Sequence, residues 1–159
     1  MAPKRSAHRM IGEENGFSLV ELLIVAAMLA TLVSIAVPIY ARALDSARMA
    51  HAIAEIQTLQ KEIFLYDVQT GDLPLTLEDI DREKLTDPWG TPYEYLNFSS
   101  VKGKGKMRKD RFLVPLNSRY DLYSKGPDRD SKPPLTAKAS RDDIIRANDG
   151  SFVGPASEF

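Results

Sequence analysis

The residues with the most pointed chemistry lie in Gly16-Phe17-Ser18-Leu19-Val20-Glu21. A single carboxylate, Glu21, precedes positions 22 to 41, which carry no charge. A charged side chain at membrane depth costs about 2.5–3.5 kcal/mol on insertion scales, so it needs a partner or water. Two readings follow. In one, Glu21 pairs with a free amine on Phe17, released by cleavage after Gly16. The amine then belongs to a neighbouring copy, because a subunit cannot easily fold its own amine onto its own helix. In the other, Glu21 sits at a helix N-terminus, favoured by the macrodipole, and reaches the headgroups. A secretory signal peptide places its apolar core before a small-residue cleavage site. Here the apolar run follows the Gly-Phe junction, and a chain cut there keeps it.

Elsewhere the chemistry is sparse. The chain has no Cys, which removes disulfides, thiolate nucleophiles and thiolate metal sites. Of its two His residues, His8 lies in the leader and His51 falls within the long helical pattern. Gly103 and Gly105 stand among lysines rather than in a phosphate-binding loop after a strand. Asp142 and Asp143 have no nucleophile or substrate pocket assigned beside them. The sequence therefore predicts a protein that is not an enzyme.

The apolar stretch from Phe17 is dominated by Leu, Ile, Val, Ala and Met, with Pro38 as its breaker. About 20 apolar residues span a bilayer as a helix, and a single span satisfies its backbone economically only as a helix. Pro38 removes one donor and crowds the preceding turn, which predicts a kink or local melting. Beyond Ala41, residues Met49, Ile53, Ile56, Leu59, Ile63 and Tyr66 recur in three- and four-residue steps along one face. One helix is predicted from about Phe17 to about Val68, on the order of 75 Å long.

Thr76 and Asp79 predict a capped short helix ending near Lys84. Asp87-Pro88-Trp89-Gly90 marks a turn, and Tyr93 to Tyr95 begins a strand. Lys102 to Lys106 reads as an exposed hairpin tip, with Arg111–Val114 and Arg119–Tyr123 as further strands. Trp89, Tyr93 and Tyr95 are expected to fill the space between sheet and helix. The predicted fold class is α+β, a long N-terminal helix packed on a small antiparallel sheet. The organisation is a leader over 1–16, a membrane segment over 17–41 and a globular domain over 42–159. Lys4, Arg5 and Arg9 keep the leader in the cytoplasm and put the globular domain outside the inner membrane. The net charge of −1, without a basic stripe interleaved with aromatics, gives no footprint for nucleic acid.

The junction, Glu21 and the apolar run together resemble the type III signal of type IV pilins and of the pseudopilins of type II secretion. Asp87-Pro88-Trp89-Gly90-Thr91-Pro92-Tyr93-Glu94-Tyr95 and Tyr120-Asp121-Leu122-Tyr123-Ser124-Lys125-Gly126-Pro127-Asp128 are similar to segments of the major pseudopilins. The absence of Cys also separates the chain from adhesive pilins, which usually carry a C-terminal disulfide loop. The resemblance implies a pilin-like fold and a helical homopolymer that drives protein export. It implies cleavage by prepilin peptidase after Gly16, N-methylation of Phe17 and an assembly role for Glu21. Minor pseudopilins, an inner-membrane assembly platform and its motor ATPase are the implied partners, in the bacterial inner membrane and periplasm. Major pseudopilins also bind Ca²⁺ in the loop after the last strand. The matching positions are Asp128, Asp142 and Asp143, although Lys132, Lys138 and Arg141 interrupt this longer loop. A type IV or minor pilin, a monomeric anchored binding module and an anchored enzyme are the competing readings.

Overall fold

The computed structural model describes residues 16–159. Helix α1 runs Leu19–Thr70, within two residues of the predicted bounds at each end. Its helical conformation continues through Pro38, so the local melting expected there does not occur. Proline still removes its own N–H bond and crowds the preceding turn, but the helix runs on from both sides of it. The chain divides into two compact units, 1–42 and 43–159.

In the first unit, residues 16 to 42 are exposed throughout, and α1 is long and apolar enough to cross a membrane.

In the second unit, strands β1 (Glu94–Asn97), β2 (Tyr120–Ser124), β3 (Ile144–Ala147) and β4 (Phe152–Pro155) form one sheet in sequential order. Every neighbouring pair is antiparallel, with Tyr95 opposite Leu122, Tyr123 opposite Ile145 and Ile145 opposite Gly154. The α+β architecture is the predicted one. Ala52, Ile56, Leu59 and Ile63 of α1 are buried against Leu77, Tyr93, Tyr120, Leu122 and Ile144. Each fully buried Leu or Ile stabilises the fold by about 1.5–3 kcal/mol relative to exposure. Trp89 and Tyr95 pack on the same cluster, as expected of core aromatics. Met49, predicted on this face, is exposed, because the contact surface of α1 begins a turn later at Ala52.

The other face of the sheet is also covered. Leu116, Leu135, Ile145, Ala147 and Ala156 form a second core, with Tyr123 and Phe152 packed against it. Side chains alternate across a strand, so Ile144 faces the helix while Ile145 faces the loops. Burial on both faces explains why β3 lacks the polar–apolar alternation that marks a half-buried strand.

Two local expectations need correction. The short helix after Thr76 is a single 3₁₀ turn, Leu77–Ile80, ended by Asp81 in the left-handed region, well before Lys84. Asp79 accepts the Leu75 and Thr76 N–H groups at 2.7 and 3.0 Å, which concentrates the capping in one turn. Arg111–Val114 is not a strand: Asp110 and Leu113 close on each other as an isolated bridge, with Phe112 fully exposed. Strands β3 and β4, in contrast, were not predicted.

Candidate functional site

The N-terminal site is a closed capping arrangement. The Ser18 N–H donates to Glu21 Oε2 at 2.9 Å, and the Glu21 N–H donates to Ser18 Oγ at 3.2 Å. The Ser18 carbonyl accepts from the Leu22 N–H at 3.2 Å, so Ser18 is the N-cap and Glu21 the third helical residue. This reciprocal pair satisfies two of the donors that a helix start leaves open. An ionised carboxylate offers about four acceptor positions, so one bond from Ser18 leaves capacity for a further donor. Phe17 is 78% exposed and Gly16 is exposed beside it, which leaves the junction accessible. The basic leader residues lie outside the described part of the chain.

The two aromatic segments singled out in the sequence meet at one buried carboxylate. Asp87, 4% exposed, accepts the Trp89 and Thr91 N–H groups on Oδ1 at 3.0 and 2.8 Å. Its Oδ2 accepts the Ser124 hydroxyl at 2.6 Å. Ser124 Oγ in turn accepts the Gly126 N–H at 3.0 Å. Gly126 has φ +65, and a Cβ there would run into the Asp142 carbonyl, so only glycine lets the β2–β3 connection lie this close.

The acidic positions are split by that connection. Asp142 Oδ2 accepts the Asp128 N–H at 3.2 Å, and Asp128 Oδ1 accepts the Asp130 N–H at 2.9 Å. Asp128 is exposed and Asp143 wholly buried. Asp143 Oδ2 accepts from Arg108 Nη2 at 2.5 Å and from the Ser131 hydroxyl at 2.6 Å. Burial pushes the Asp143 carboxyl above its ordinary range, against the pull of the Ser131 hydroxyl and the guanidinium. Burial likewise raises the Asp121 carboxyl, opposed by the Arg108 backbone N–H. Among the described residues, no three His, Cys, Asp or Glu side chains are grouped to hold a metal ion. The donor set fits Ca²⁺ poorly in this arrangement: a second cation at Asp143 would face the Arg108 guanidinium at contact distance.

Sequence reasoning missed Arg108, which is 3% exposed. It stands in a lysine-rich stretch that reads as solvated, and its partners are far along the chain. The signal that existed was Asp121, a carboxylate at an alternating position between buried Tyr120 and Leu122 of a central strand.

Further charge pairs brace α1 within the globular unit. Arg119 forks onto Asp67 at 2.6 and 2.9 Å, and Arg82 onto Glu62 at 2.9 and 2.5 Å. The Tyr93 hydroxyl donates to Glu55 Oε2 at 2.5 Å. Burial and the Glu55 carboxylate hold the Tyr93 phenol well above its usual pKa.

No protein-family model matches the chain, and no solved structure matches it. A curated relative does: the chain is similar to the Type II secretion system core protein G of Pseudomonas aeruginosa, at 25% identity over 137 residues that cover 73% of this chain and 85% of that protein.

Proposed function

We propose that this chain is a pilin-like structural subunit of type II secretion, a pseudopilin that polymerises through its apolar N-terminal segment. The observation that carries this reading is the similarity to a type II secretion core protein along 85% of that protein's length. An exposed, membrane-length apolar helix that opens on a single carboxylate supports it. The precursor inserts with its leader in the cytoplasm, and a peptidase cuts between Gly16 and Phe17 and methylates the new amine. That amine then meets Glu21 of an adjacent subunit. In a water-poor helical bundle the pairing offsets the cost of burying either charge alone and fixes the axial stagger. Extraction from the bilayer is driven by an external motor acting through an inner-membrane platform, and the growing filament pushes cargo outward.

The test is Glu21→Ala in cells that assemble the wild-type filament. Expected are loss of filaments, unchanged membrane insertion and a mature chain beginning at N-methylated Phe17 by mass spectrometry. A mature chain that still begins at Met1, or normal filaments from the variant, would overturn the reading. A monomeric anchor predicts no filaments from wild-type protein either.

A further inference from the structure

The Arg108 guanidinium lies in a set of oxygen acceptors that belong to the β2–β3 connection. Its Nη1 donates to Ser131 Oγ at 2.6 Å and to the Lys132 carbonyl at 2.7 Å, and Nη2 donates to Asp143 Oδ2 at 2.5 Å. Its own backbone N–H donates to Asp121 Oδ2 at 2.6 Å, and its guanidinium stacks 4.4 Å from the Tyr123 ring centre. Carboxylate, hydroxyl and carbonyl oxygens converging from a loop are the ligand types that a hard divalent cation selects. The cage also has acceptor capacity that the guanidinium does not use, since Asp143 Oδ1 is buried without a hydrogen-bond partner. Arg108 Nε is likewise buried without one. A planar fork therefore meets this cage incompletely, whereas a spherical ion imposes no such directionality.

We propose that the guanidinium of Arg108 takes the position of a divalent cation in the β2–β3 connection, an internal counter-charge that makes this loop independent of metal. Lys132 is tied in turn to Ser140, whose hydroxyl accepts the Lys132 N–H at 2.9 Å and donates to its carbonyl at 2.7 Å. Arg108 thus joins the β1–β2 connection to the middle and to the last residue of the β2–β3 connection, the work that a bound ion performs when it organises a loop. The inference concerns the globular unit and does not rest on the assembly reading.

The test uses the full chain in detergent micelles. Wild-type Tm is expected to be the same in millimolar EGTA and in millimolar calcium chloride. Arg108→Ala leaves Asp143 buried and unpaired, and its Tm in EGTA is expected to fall by on the order of 10 °C. Calcium should then restore most of that loss, and the double variant Arg108→Ala/Asp143→Ala should lose the response to calcium. If Arg108→Ala does not fold in EGTA, its refolding yield with and without calcium makes the same decision. The proposal is overturned if EGTA lowers the wild-type Tm or if Arg108→Ala melts like wild type. It is equally overturned if calcium fails to rescue the single variant or rescues the double variant equally well.

Discussion

Glu21 and Ser18 hold each other at the first turn of α1, each backbone N–H donating to the other's side-chain oxygen at 2.9 and 3.2 Å. The carboxylate on which assembly is proposed to turn therefore has a second task inside its own chain. Starting the helix and pairing with a neighbour's amine are separable, because the first needs an acceptor and the second needs a charge.

Glu21→Gln separates them. Glutamine serves at the third position of a capping box as glutamate does but carries no charge. Filaments are expected to disappear in Glu21→Gln while the helix start is kept. Ser18→Ala, which removes the cap at a cost of about 1 kcal/mol and keeps the carboxylate, should still assemble. Electron microscopy of both variants checks this. Normal filaments from Glu21→Gln would reduce Glu21 to a capping residue.

The Tyr93 hydroxyl is a polar tie between the core and α1, since Tyr93 is 5% exposed and its partner Glu55 belongs to the helix. Tyr93→Phe should destabilise the globular unit by about 1.5–2 kcal/mol. This is the lower part of the range for a hydrogen bond to a charged group, because Glu55 keeps contact with water and with His51 at 3.7 Å. Denaturant midpoints of wild type and variant measure the difference. An unchanged midpoint would show that water replaces the phenol without cost.

Asp67 gives stability a dependence on acid. Its fork with Arg119 holds the carboxyl below its ordinary 3.8, so the folded state binds this proton less readily than the unfolded chain. The pair's contribution is complete above 3.8 and is lost as the pH falls through the lower, folded value. Asp67→Asn should therefore lower Tm at neutral pH, by an amount that shrinks on acidification and with added salt. A Tm difference that stays constant through the acid limb would show that the pair contributes shape rather than charge.

The legible parts of this protein were those that depend on neighbours along the chain. Helix α1 announces itself because its apolar residues repeat with the period of a helix and positions 22 to 41 carry no charge. Strands β1 and β2 carry aromatic and branched residues at alternating positions next to turn residues, so the α+β layout was readable. Strand β3 was not, because Ile144 and Ile145 are both buried, one under the helix and one under the loops. Adjacent apolar residues carry no strand period.

The sequence alone determined the charge-free segment, the lone carboxylate at its start and the junction before it, all written in consecutive residues. Tertiary structure alone decided what the other acids do. It buried Asp143 against Arg108, 35 positions away along the chain, and closed Asp87 on Ser124 of β2, 37 positions away. The physical reason is that a charge buried in a low-dielectric interior must find its counter-charge in space. Distance along the chain does not encode which residue that will be.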